Sequence, residues 1–260
     1  MVVEADKIVQ ADQPVVSPFR QGFGVKNPYG RTAAPSGGAG GPQTRPIEAE
    51  SFPGAEPTRG KVGRIERLQR MPRGDLATDR LTVFGTRGAA SWCQCQRYKL
   101  RPRESFRSFP VEERVRRLHE QTDCGHPESD TTSGLVAYLD REPVGWCAVE
   151  PRPEYEGLLR VFRVPWDGRD EDKTDDGVWA VTCLFARAGF RKRGVSRALA
   201  RAAVGFARER GARAIEAYPI IAKNVIAEEL HVGTPSVFAD AGLVEVSRPT
   251  VRRLVMRLDF

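Results

Sequence analysis

The chain has 260 residues, with 41 Lys and Arg against 34 Asp and Glu, a net charge of +7 and 40% hydrophobic residues. That suits one ordinary domain with extra segments, or two small ones, and no stretch approaches the ~20 consecutive apolar residues a membrane span needs, nor does the N-terminus carry a signal-peptide pattern. The positive charge fits a polyanionic small ligand as well as a nucleic acid, but none of the usual DNA-reading motifs is present, so neither nucleic acid nor membrane is an expected partner.

Residues 1–77 differ from the rest. Prolines from Pro14 to Pro57 and the run Ser36-Gly37-Gly38-Ala39-Gly40-Gly41 interrupt a segment whose apolar residues are too sparse for a core, which predicts a largely disordered N-terminal extension. Ile65, Leu68 and Met71 share a helical spacing and predict a short docked helix.

A folded domain is expected over 78–260. Leu81–Phe84 reads as a first strand, followed by a second strand-like run, Ser91–Tyr98. Ser108 ahead of Pro110, with Glu112 and Glu113 in the first turn, predicts a helix start, and Val111, Val115 and Leu118 would form its buried face. Gly134–Leu139 and Val144–Val149 flank Asp140-Arg141-Glu142-Pro143 and predict an antiparallel hairpin. The acidic run Asp167–Asp176 is expected to be a loop.

Val178–Ala186 is rich in β-branched and aromatic residues, as a half-buried strand should be. Val195, Leu199, Ala202, Ala203 and Phe206 then recur at helical spacing, with Gly211 as the stop. Between them lies Arg191-Lys192-Arg193-Gly194-Val195-Ser196, a basic turn with a glycine that opens a helix. Such a turn points backbone N–H groups outward where the helix dipole favours an anion, which predicts a site for a phosphate-bearing ligand. Ala214–Tyr218 is another strand, ended by Pro219. A short helix near Pro235–Ala241 stops at Gly242, and residues 253–260 alternate as a terminal strand.

This order and these motifs resemble the GNAT superfamily of acyl-CoA N-acyltransferases. The resemblance rests on the basic turn, which matches [Q/R]-x-x-G-x-[G/A] except at Ser196, on the hairpin with Glu142-Pro143-Val144-Gly145, and on Ala239-Asp240-Ala241-Gly242-Leu243 before the terminal strand. It implies an α/β fold with a mixed, mostly antiparallel central sheet splayed between its fourth and fifth strands and flanked by helices. It also implies acetyl-CoA as co-substrate. Its pyrophosphate would lie on the amides of Lys192 to Ser196, with charge from Arg191, Arg193 and Arg197, and its pantetheine arm along Leu184, Phe185 and Ala186. The function implied is acetyl transfer to a primary amine of a small molecule or protein. A homodimer is an assembly it allows.

Direct transfer needs a base for the amine proton and an acid for the departing thiolate. Many family members place a carboxylate on the strand before the turn, but Trp179, Ala180, Val181 and Thr182 supply none, and Phe238 stands where the family often has a tyrosine acid. Tyr218 and Glu216 are the replacement candidates, with Glu150 or a bound water as alternatives; the bland reading is a packed aromatic and an ordinary strand carboxylate. A catalytically weak acyl-CoA-binding sensor or interaction module is therefore the competing function.

Cys93, Cys95, Cys124, Cys147 and Cys183 make an odd, scattered set, which predicts a reduced, cytoplasmic setting. Cys93, Cys95, Cys124 and His126 are ligand types that suit zinc, but the one-residue spacing is awkward, so free thiols and no metal are expected. A nucleophilic Cys183 lacks a histidine tied to it and reads as a packed strand residue. Trp146 and Trp179 are expected in the core, and Trp166 beside a pocket.

Overall fold

The computed structural model describes residues 64–67, 82–123, 132–221 and 225–260. The strands are β1 (Arg64–Arg67), β2 (Gly134–Leu139), β3 (Glu142–Pro151), β4 (Val178–Ala186), β5 (Ala214–Ala217), β6 (Val244–Thr250) and β7 (Arg253–Asp259). The α-helices are α1 (Ala89–Cys93), α2 (Val111–Gln121), α3 (Glu156–Arg160), α4 (Val195–Glu209) and α5 (Pro235–Ala239). One sheet runs in the order β1-β2-β3-β4-β5-β7-β6, and every neighbouring pair is antiparallel except β4 with β5.

The parallel pair is joined by α4, as a parallel connection requires. It is also short. Val178 to Val181 pair with Ala214 to Ala217, and there the pairing ends while β4 continues to Ala186. From Thr182 onward β4 has β3 on one side and, among the described residues, no strand on the other, so the sheet opens between its fourth and fifth strands. Just at this point β4 carries an extra residue: Ala148 pairs with Cys183 and Val149 with Val181, which leaves Thr182 as a bulge.

The two sheet faces bury different layers. One packs Val195, Leu199, Ala203 and Phe206 of α4 against Leu135, Val149, Trp179, Val181, Ile215 and Met256. The other packs Tyr98, Tyr155, Leu158 and Trp166 over Ala180, Tyr218 and Val255, and continues as Phe84, Cys95 and Leu118 over Tyr138, Trp146 and Cys183. Trp146 and Trp179 are core residues, as expected.

The hairpin turns at Asp140 and Arg141, both at positive φ, and α4 ends before Gly211 at φ 78°. Other expectations need correction. Residues 82–84 are helical, and Ser91–Tyr98 is α1, two left-handed residues, Gln94 and Cys95, and a 3-10 turn over Gln96–Tyr98. The sheet position beside β2 is held instead by Arg64–Arg67, with Ile65 opposite Ala137, so Ile65 is in a strand and not a docked helix. The remainder of 1–77, with Leu68 and Met71, lies outside the described residues, as do Leu81, Cys124 and His126.

On α2 the N-cap is Pro110, and Val111 is exposed. The buried face carries Arg114 and Arg117 with Leu118. Arg114 donates to the carbonyls of Trp92, Phe106 and Phe109, and Arg117 pairs with Glu104 and Glu113, which offsets the burial of two charges. The sequence also predicted one terminal strand where there are two, because β6 exposes most of its residues and carries no apolar stripe.

Candidate active site

The residues expected to hold the donor lie in and beside the segment between β4 and α4. Gly189, Lys192 and Gly194 take positive φ of 85°, 62° and 82°, so the chain turns sharply between β4 and α4. Gly194 is the N-cap of α4, and the first capping bond runs from Ala198 N to Gly194 O at 3.0 Å. The amides ahead of that bond belong to a helix start and are left for an external acceptor. Arg191, Lys192, Arg193 and Gly194 are exposed, Val195 is anchored in the core, and Ser196 is half-buried. Arg193 lies over the Phe190 ring at 5.3 Å, whereas Arg197 is ion-paired with Asp240. Leu184 is buried and Phe185 and Ala186 are half-buried, all three on the stretch of β4 beyond the parallel pairing.

The opposite face of the sheet carries a row of cross-strand partners. Glu150 pairs with Ala180, Ala180 with Glu216, and Glu216 with Arg257. Two carboxylates thus flank a strand position that has only a methyl group. Glu216 is fully buried. Its oxygens accept from Arg257 at 2.9 Å, from Arg169 at 3.3 Å, from Arg152 at 3.5 Å and from the Tyr218 hydroxyl at 2.9 Å. Arg152 and Arg169 also bind Glu171, at 3.1 and 2.6 Å, so the acidic loop is tied down onto this face.

Burial first, and then the Glu216 charge, push the Tyr218 phenol well above its ordinary range, so it keeps its proton. Burial also raises Glu171, but the hydrogen bonds from Arg169 and Arg152 prevail and hold it below the usual carboxylate value. Among the described residues Glu150 has a single cationic partner, Lys99, at 2.6 Å. Burial raises its carboxyl above the usual range despite that ammonium.

A family model of the acetyltransferase (GNAT) family matches residues 96–233. The chain belongs to the GNAT acetyltransferase family. Among solved structures it is similar to Ard1 from Thermoplasma volcanium (12% identity, 76% of this chain and 97% of that one, TM-score 0.39). Another is a ribosomal-protein-alanine N-acetyltransferase from Brucella melitensis (17% identity, 58% and 78%, TM-score 0.35). A third is BjaI, a CoA-dependent acyl-homoserine lactone synthase solved with SAM and isopentyl-CoA (17% identity, TM-score 0.38); the match covers 50% of this chain and 60% of that one. No curated protein matches the sequence.

In this GNAT domain the expected donor residues Leu184 to Ala186 lie on β4 past its parallel pairing, and Arg191 to Arg197 lie in the turn and the first residues of α4. Tyr218 and Glu216 meet through their hydrogen bond, and Tyr218 is the first residue after β5, just past the parallel pairing. Trp166 lines a cleft of about 250 Å³ with Phe162, Arg163, Asp167 and Lys173, beside the acidic loop.

Burial pushes the Cys95 thiol well up, and at Cys183 the hydrogen bond to Cys95 pulls strongly down but burial together with the nearby Cys93 and Cys147 leaves the thiol raised overall. Both sulfurs therefore hold protons and are poor nucleophiles. Among the described residues no group of three or more His, Cys, Asp or Glu could hold a metal, and no helix is long and apolar enough to cross a membrane.

Sequence reasoning overlooked Lys99, Arg152, Tyr155 and Arg169. All four lie in segments that looked like loop or helix-flanking chain, and their role depends on which strand they are folded against.

Proposed function

We propose that the protein is an acetyl-CoA-dependent N-acetyltransferase that acts on a primary amine of a small molecule or a protein. The observation that carries this reading is an exposed, basic, glycine-capped helix start placed where β4 loses its parallel neighbour. Amides and guanidinium groups there suit a pyrophosphate, and the unpaired edge of β4 suits an amide-bearing arm laid beside it. In this reading Lys192 to Ser196 hold the pyrophosphate, Arg191 and Arg193 add charge, and Arg197 exchanges Asp240 for a phosphate oxygen. Leu184 to Ala186 line the pantetheine arm. Tyr218, which keeps its proton, serves the departing thiolate as acid, and Glu216 orients it. The free thiols of the described cysteines fit a reducing, cytoplasmic setting.

The test is release of free CoA thiol from acetyl-CoA with a panel of small amines, polyamines and lysine peptides, run beside calorimetry with acetyl-CoA. Gly194→Asp places an anion against the pyrophosphate, and loss of measurable binding is expected; unchanged affinity would sink the site assignment. Tyr218→Phe is expected to slow turnover, and a normal rate would remove it as the acid. A second reading, a non-catalytic acyl-CoA sensor, draws on one observation: Glu216 is already bound by three arginines and a phenol. Tight acetyl-CoA binding without turnover on any amine would favour it.

A further inference from the structure

We propose that the cleft beside Trp166 is a binding site for a small carboxylate with a flat apolar body, such as an aromatic acid. The site stands apart from the acetyltransferase reading, which gives this cleft no role.

The cleft has a fixed frame. Leu159, Phe162 and Trp166 supply its apolar lining, and its volume of about 250 Å³ suits a ligand of about one ring. Trp166 is held by its Nε1, which donates to the Leu158 carbonyl at 3.1 Å, and the Phe162 ring packs on Tyr98 with centroids 4.5 Å apart. Fully buried Arg152 lies over the Trp166 ring at 5.1 Å. It also donates to the Asp172 carbonyl, and so pins the residue just before Lys173.

The charges around that frame are unbalanced. Arg160 is engaged by Glu156 at 3.5 Å and by the Leu100 carbonyl at 3.0 Å. Arg163, Asp167 and Lys173 make no ion pair with any described residue. Lys173 stays unpaired inside an acidic run because its neighbours are committed elsewhere: Glu171 to Arg152 and Arg169, Asp172 to Thr174, and Asp175 to Arg213. Its ammonium sits over the Trp166 ring at 5.2 Å, which holds a cation in place without neutralising it.

Two free cations against one carboxylate leave the lining short of one negative charge. A monoanion supplies it. A carboxylate takes the planar fork of Arg163 and the Lys173 ammonium, while its apolar body covers Leu159 and Phe162. An amine without an acid group would meet two like charges there.

The test titrates the full chain with benzoate, benzamide and benzylamine, which share one ring and differ in charge, followed by ligand-observed NMR. Benzoate is expected to bind at least about 10-fold more tightly than the other two, the scale of one charge-assisted hydrogen bond. Arg163 and Lys173 are exposed, so Arg163→Gln and Lys173→Gln retain the fold, and each should weaken benzoate binding about 10-fold. Asp167→Asn removes the opposing charge and should tighten it, which a mere change of shape would not do. The site is overturned if benzylamine binds as well as benzoate, if benzoate keeps its affinity in both glutamine variants, or if Asp167→Asn weakens it.

Release of CoA thiol with para-(aminomethyl)benzoate and benzylamine as amines then identifies the source of the carboxylate. A faster rate for the acid-bearing amine, lost in Lys173→Gln, makes it part of the acceptor. Equal rates with benzoate binding intact make it a separate effector, and each result supports the site. The binding arm needs no transfer, so a chain that acetylates no amine loses the acetyltransferase reading and keeps this cleft.

Discussion

At Glu216 one carboxylate balances Arg152, Arg169 and Arg257 in a place that excludes water. Removing its charge leaves three guanidinium groups buried around a neutral amide. Breaking a buried pair from one side typically costs about 3–5 kcal/mol, because the desolvated partner is left uncompensated. Glu216→Gln should therefore lower the unfolding free energy by about that amount in a urea titration; a loss under about 1 kcal/mol would mean that water reaches the cluster in solution. The same residue shows what can be read locally and what cannot. Its place on a strand was legible from Ala214-Ile215-Glu216-Ala217-Tyr218, but its arginine partners lie 41 to 64 positions away along the chain, and nothing local announces them.

At the scale of elements, the proposed donor site depends on how closely the start of α4 sits on β3. Gly145 makes this contact possible. A Cβ added there would lie 2.6 Å from Val195 Cγ1 and 2.9 Å from the Phe185 carbonyl oxygen, and the second of these is backbone that cannot swing aside. Gly145→Ala is expected to destabilise by about 1–3 kcal/mol through overpacking, and to weaken acetyl-CoA binding because Val195 begins the helix that caps the turn. Urea melts and calorimetry on the one variant would report both effects.

Gly194 is a contrast, since added bulk there meets nothing within 4 Å and the cost comes from its positive φ. The hairpin and α4 were legible in the sequence, because turn chemistry and a 3.6-residue period act between near neighbours. Residues 82–98 were not, because the edge of β2 that such a strand would have used is held by Arg64–Arg67.

Across the whole molecule, acid should destabilise the fold, and the sign follows from the carboxylates. The hydrogen bond from Arg117 chiefly holds Glu104 below its ordinary value, and Arg169 and Arg152 outweigh burial at Glu171. Groups lowered in the folded state contribute stability above their unfolded value and lose it as pH falls through the folded one. Glu150 has the opposite sign: burial raises it, so its stabilising contribution is greatest in acid and is lost as pH rises through the raised value. With Glu113, Asp172, Glu229 and Glu245 lowered as well, six carboxylates stand against one, so Tm is expected to fall below about pH 5, and Glu104→Gln should flatten part of that fall in scanning calorimetry. A Tm that rises on acidification would contradict this balance.

By itself the sequence determined the pieces with a short physical range: the hairpin, the glycine-capped basic turn, the amphipathic helix after it, and through their order the family. Each is set by contacts within a few residues. Only the tertiary structure decided which groups face one another across the sheet. It put Arg64–Arg67 on the edge, ended the parallel pairing at Val181 and Ala217, and gave Glu216 three arginines but Glu150 a single lysine. Those outcomes depend on strand register and on burial of charge, which join residues far apart in the chain.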